Sequence, residues 1–163
     1  MKAKQYLRDV STPHRLARAG VIAALYVGIT YVLAPVSFGP LQFRAAEALS
    51  VLPVLYPEAV PALYVGVLIA NLFGGLGPWD IFGGSLVTLL AAAMTYAFRR
   101  SWLAYLWPVM LNGLLVSLYL HVLYSVPYWL TVAYISLSEA AVVVLLGLPL
   151  IGALRRWRGP EES

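Results

Sequence analysis

Three observations predict an all-α integral membrane protein, a six-transmembrane-helix bundle with both termini cytoplasmic. The chain is 61% hydrophobic and 11% charged, with a mean hydropathy of +0.81, which places it among proteins solvated by lipid. Its apolar residues form six runs separated by short turn-forming segments. Of its 11 Lys and Arg, all but Arg44 fall into three groups beside the ends of these runs. Such clusters read as cytoplasmic anchors under the positive-inside rule.

A single transmembrane domain covers 1–163, with a basic cytoplasmic arm at 1–16 and a cytoplasmic tail at 155–163. The first run, 17–34, follows Lys2, Lys4, Arg8, Arg15 and Arg18. It is a span and not a cleaved signal segment, because the arm is long and no A-x-A site follows. The second and third runs, 45–56 and 59–73, are short against the roughly 20 residues that a helix needs to cross about 30 Å. Counting them as one broken span would put the second and third basic groups opposite the first. Two short, tilted helices meeting at Pro57 and Glu58 are therefore expected, with a re-entrant pair as the alternative. The fourth run, 81–98, ends at Arg99 and Arg100. The fifth is 102–124. The sixth, 128–153, stops at Arg155, Arg156 and Arg158. Three outer loops follow, at 35–43, 74–80 and 124–128.

Several functions are disfavoured. The net charge of +4 sits at span ends, so nucleic-acid binding is a weak reading. With no Cys, disulfides, thiol catalysis and Cys-held metals are excluded. One His within the spans cannot build a multi-His metal site, and no cofactor motif is present. A membrane hydrolase based on His121 lacks a nucleophile motif such as G-x-S-x-G.

Glu139 carries the most information about function. It lies in the middle of the sixth run, and no basic residue separates it from the terminal arginines. A charge near the bilayer centre costs roughly 2.5 to 3.5 kcal/mol on insertion scales, so it should face a cavity, a polar partner or a ligand. Asn112 lies midway along the fifth run, and antiparallel packing would bring it to the depth of Glu139. His121 is placed nearer the outside on a similar face. Ser136 and Ser138 flank Glu139. Interhelical hydrogen bonding among these groups is the structural alternative to ligand contact.

Arg44 and Glu47, three residues apart, share a helix face at the outer side as an ion pair or as ligand contacts. Residues 71–80 form a Gly-rich outer loop entered by Asn71 and left by Trp79 and Asp80. It lacks the Lys and Ser/Thr of a phosphate loop, so a lid is the better reading, and Trp79 is either an interfacial anchor or a stacking platform. On the first helix, Ala19 with Ala23 and Gly20 with Ala24 and Gly28 form stripes that permit close helix approach. The stripes serve either the bundle itself or a partner membrane protein.

The segments FGPLQFRAAEAL (38–49), LIANLFGGLGPWDI (68–81), GSLVTLLAA (84–92), LNGL (111–114) and SEAAVVVLLGLPL (138–150) together resemble the QueT-type family. These are queuosine-precursor substrate-binding subunits of energy-coupling factor (ECF) transporters. The resemblance implies a six-helix subunit without ATPase activity, binding one small metabolite from outside. Its partners would be a transmembrane coupling subunit and two ATP-binding subunits, with an Ala-x-x-x-Ala pattern on the first helix meeting the coupling subunit. It would move substrate by toppling in the membrane, driven by ATP hydrolysis elsewhere in the complex. Under this reading Glu139 accepts from the N1 and N2 donors of a 7-deazaguanine while Asn112 donates to O6. Trp79 or a tyrosine would stack on the ring, and Asp80 would meet an aminomethyl cation if the precursor carries one. Another vitamin, or a stand-alone small carrier, are the alternatives.

Overall fold

The computed structural model describes residues 12–37, 43–75 and 77–158. Within them the chain is helical throughout. Six helices follow one another: α1 (Pro13–Val32), α2 (Ala45–Val54), α3 (Ala59–Phe73), α4 (Trp79–Ala97), α5 (Leu103–Tyr124) and α6 (Tyr128–Trp157), with one helical turn, Ala34–Ser37, after α1. The loop expected at 35–43 falls largely outside the described residues.

Four of these helices, α1, α4, α5 and α6, are long and apolar enough to cross a membrane. Their outer faces carry large apolar side chains with nothing packed over them, among them Val32, Val122, Leu137, Leu145 and Trp157. Apolar exposure on this scale is unusual for a water-soluble surface and suits lipid. The protein is a multi-pass membrane protein.

Successive helices run antiparallel, as cross-helix pairs show. Tyr26 meets Glu47 and Arg18 meets Glu58 between α1 and the α2–α3 segment. Asn71 meets Asp80 across the α3–α4 turn, Thr95 meets Ala104 across the α4–α5 turn, and Asn112 meets Glu139 between α5 and α6. Pro13 opens α1 at a position where its missing N–H costs nothing. The α1 face Ile22, Tyr26, Thr30 repeats every four residues and is buried.

The short second and third runs are indeed two helices, parted by the turn at Pro57 and Glu58. The first of them, α2, is wound as a 3-10 helix. At about 2.0 Å rise per residue, its ten residues cover roughly 20 Å. Ala46–Val54 are all buried, so α2 is a central element. With three residues per turn, side chains three apart eclipse one another. Glu47 and Ser50 therefore share one face, and Arg44 stands just ahead of the helix in extended backbone.

Close approaches fix the rest. A Cβ on Gly66 of α3 would lie 3.0 Å from Tyr26 Cβ and 3.3 Å from the Ala23 backbone, so α1 and α3 touch nearly backbone to backbone. A Cβ on Gly147 would lie 3.3 Å from the Val51 side chain, which lets α6 rest on α2. At the end bearing the start of α1, Arg18 Nη1 pairs with Glu58 Oε1 at 2.7 Å and its guanidinium lies 4.5 Å from the Tyr56 ring centroid.

Candidate functional site

A cavity inside the bundle is lined by Arg44, Glu47, Gly84, Thr88, Asn112, Val116, Tyr119, Ile135 and Glu139. Four of these, Arg44, Glu47, Asn112 and Glu139, were expected from the sequence. The lining comes from 44, just ahead of α2, and 47 on its 3-10 winding, from 84 and 88 on α4, from 112, 116 and 119 on α5, and from 135 and 139 on α6. The volume, about 40 Å³, holds a few waters. A planar heterocycle is larger than this space and would have to push side chains apart to enter.

Wide helical turns occur where the lining residues sit. Residues Trp79–Gly84, Asn112–Val116 and Val143–Gly147 are π-wound, and such bulges are frequent at functional sites. The first carries Gly84, the second carries Asn112 and Val116, and the third begins one turn after Glu139. Opposite the second, a Cβ on Gly113 would fall 2.0 Å from Ser136 Oγ. Glycine there is what lets α5 and α6 approach closely enough for their polar groups to meet.

Glu139 does have a protein partner: Asn112 Nδ2 donates to its Oε1 at 3.1 Å. The interhelical bond weighed as an alternative to ligand contact is thus present. It leaves one N–H of the amide and the other carboxylate oxygen for further bonding. Glu47 Oε1 accepts from the Tyr26 hydroxyl at 2.5 Å, while Oε2 is buried without a hydrogen-bond partner among the described residues. The cavity therefore presents two carboxylates, one guanidinium and one amide within apolar walls.

Behind this lining stands a second polar group. The Tyr119 hydroxyl donates to Asp80 Oδ1 at 2.9 Å, and Asn71 Nδ2 donates to the Asp80 carbonyl at 2.7 Å. Both Asn71 and Asp80 are buried. A Cβ on Gly84 would lie 3.3 Å from Asn71 Nδ2 and 3.6 Å from the Tyr119 hydroxyl, so this cluster backs the wall at Gly84 and Tyr119. Asn71 and Asp80 support the cavity and do not line it.

Two more of the expected residues, Trp79 and His121, also lie outside the cavity lining. Trp79 is 60% exposed at the start of α4 and is absent from the cavity wall, as suits an interfacial anchor. His121 is exposed, with Nδ1–H donating to the Val126 carbonyl at 2.6 Å and its ring 6.1 Å from that of Tyr128. It fastens the α5–α6 turn, where Ser125 adopts φ 54°. Nine residues from Asn112 amount to roughly two and a half turns, which swings His121 away from the cavity.

The structure separates the two small-residue registers of α1. Ala23 lies against Gly66 and Ala19 packs against the core. Gly20, Ala24 and Gly28 face outward, with open space at both glycines. An apolar groove there is lined by Val21, Ala24, Leu25, Gly28, Ile29, Val32 and Leu33.

Among proteins of known sequence, the chain is similar to the queuosine precursor transporter QueT of Lactococcus lactis subsp. cremoris (strain MG1363). The two are 30% identical over 106 residues, covering 63% of this chain and 62% of the relative. The chain thus aligns with less than two thirds of that relative's length. No solved structure matches. The model of the QueT transporter family matches residues 16–156. The chain belongs to the QueT transporter family.

Proposed function

We propose that the chain is the substrate-binding membrane subunit of an ECF-type importer and captures a 7-deazaguanine queuosine precursor from outside the cell. The observation that carries this reading is the Asn112–Glu139 pair in the cavity wall. A carboxylate oxygen beside an amide N–H matches the edge of a guanine-like base, which offers adjacent N1–H and N2–H donors next to the O6 acceptor. The relative's description as a queuosine precursor transporter supports the same class. Two carboxylates against one arginine further favour a ligand rich in donors over an anion.

The chain has no ATPase of its own in this reading. A transmembrane coupling subunit would dock on the outward face of α1, over Gly20 and in the groove that Ala24 and Gly28 line, and two ATP-binding subunits would drive transport. The helix order supports six spans with cytoplasmic termini, because antiparallel succession brings Arg18, Arg99, Arg100, Arg155 and Arg156 to one end. Labelling of a cysteine placed at position 100 or 156 from outside intact cells would refute that topology.

Calorimetric titration of the detergent-purified protein with 7-deazaguanine, beside a panel of purines and vitamins, tests the substrate class. Glu139→Gln keeps the shape and removes the charge. It should lower affinity roughly ten- to a hundredfold, the worth of a charge-assisted bond of about 1.5 to 3 kcal/mol. Preferential binding of an unrelated vitamin would overturn the substrate assignment. Unchanged affinity in the variant would remove Glu139 from the site.

A further inference from the structure

Taking the cavity as the ligand site, as proposed above, we propose that Tyr26 is a positioning residue through which ligand occupancy is transmitted to the outward face of α1. Tyr26 is fully buried, and its hydroxyl reaches from α1 to Glu47 in the cavity wall. The other oxygen of Glu47 is buried with no hydrogen-bond partner among the described residues. A ligand donor reaching that oxygen acts on a carboxylate already tied to α1, so any movement of Glu47 is felt at Tyr26.

The surroundings of Tyr26 determine what such a pull can move. On its inward side α1 is pressed against α3, where the space for a Gly66 Cβ is closed by Tyr26 Cβ at 3.0 Å and the Ala23 backbone at 3.3 Å. On its outward side Gly20 and Gly28 have nothing within 4 Å of a built Cβ. Ala24 and Gly28 each lie two residues from Tyr26, about 200° around the helix, and both line the outward groove. The same two turns of α1 thus hold the cavity contact on one side and the groove on the other. Eight residues earlier, Arg18 is anchored to the fully buried Glu58. Held at that end and tied to the cavity through Tyr26, α1 responds to the site by tilting or turning, and the groove moves with it.

The natural absence of cysteine makes the test direct. A spin label on Ala24→Cys reports the groove, and a second label on Leu137→Cys reports the lipid face of α6, where Leu137 is exposed. The purified protein is titrated with 7-deazaguanine while calorimetry follows binding. The expected result is a ligand-dependent spectral change at position 24 and none at 137. In Tyr26→Phe the change at 24 is lost at saturating ligand, although affinity shifts by less than about tenfold, because the ring still fills its place and a single hydrogen bond is removed. Should Tyr26→Phe fail to fold, a label on Gly28→Cys, which also lines the groove, provides a second test in the unsubstituted protein: a ligand-dependent change at 28 as well as at 24 is expected, and none at 28 overturns the inference. Binding with no response at 24, or a full response in a variant lacking the Tyr26–Glu47 bond, overturns the inference and leaves the ligand reading standing. Absence of binding to the unsubstituted protein overturns both.

Discussion

Gly113→Ala should damage the cavity without touching any residue that lines it. The new Cβ would lie 2.0 Å from Ser136 Oγ and 3.3 Å from Ser136 Cβ. The first contact is far inside the 3.5 to 4.0 Å at which non-bonded carbons rest comfortably. Serine can relieve it only by giving up its present rotamer between the packed helices, which carries a cost of its own. The second is a contact between main-chain-anchored carbons and relaxes only if α5 and α6 separate by a few tenths of an ångström. Overpacking of this kind costs about 1 to 3 kcal/mol. Asn112 is the neighbour of Gly113, and Glu139 lies about one turn from Ser136, so the separation also stretches the 3.1 Å Asn112–Glu139 bond. Adding Ser136→Ala removes the hydroxyl and leaves only the 3.3 Å contact. The double variant should therefore recover much of the loss in both melting temperature and ligand affinity, giving a coupling energy above about 1 kcal/mol in a double-mutant cycle. Detergent melting curves and calorimetric titration of the four proteins measure both quantities. Additive effects, with no recovery in the double variant, would show that the close approach at Gly113 does not hold the pair together.

Gly66→Ala should destabilise the fold by about 1 to 3 kcal/mol, more than Gly20→Ala, because one Cβ meets the Ala23 backbone and the other meets open space; comparative melting checks the order. Arg18→Ala should lower the melting temperature more than Arg15→Ala, since it strands the fully buried Glu58 carboxylate; the half-exposed arginine keeps the effect below the about 3 to 5 kcal/mol seen when a fully buried pair is broken. Gly20→Leu with Ala24→Leu should abolish uptake in cells while leaving binding to the purified subunit intact, as both residues face away from the bundle. Loss of affinity in that variant would place the stripe within the protein's own core.

Asn112 and Glu139 were legible in the sequence because each is a polar interruption in an apolar run. A depth of about 1.5 Å per residue then sufficed to pair them across antiparallel helices. Arg44 and Glu47 were legible as a spacing of three, although Arg44 stands in extended backbone just before α2 and not on its face, so both reach the cavity for a reason other than helix period. The winding itself was not legible, since Ala, Leu and Val at 45–54 carry no mark of it, and burial on every side of α2 decides in favour of the thinner helix. His121 was misplaced because distance along the helix was counted and rotation was not.

The tyrosines show why the remainder of the site escaped. The chain has 11 of them, and in a membrane protein tyrosine is expected at the interfaces, where its ring and hydroxyl face different solvents. Tyr26 and Tyr119 differ from the others through their partners, Glu47 and Asp80, and both partners are distant in sequence. One signal was available for Tyr119: it follows Asn112 by seven residues, about two turns, and so shares the face of a residue already singled out. Tyr26 has an analogous signal on α1, where it falls between Ile22 and Thr30 on the buried face and opposite the Gly20, Ala24, Gly28 stripe. A hydroxyl on the apolar side of a helix must find an acceptor inside the protein. Within the spans only a few carboxylates could serve, and Glu47, on the helix that packs against α1, is the one it finds.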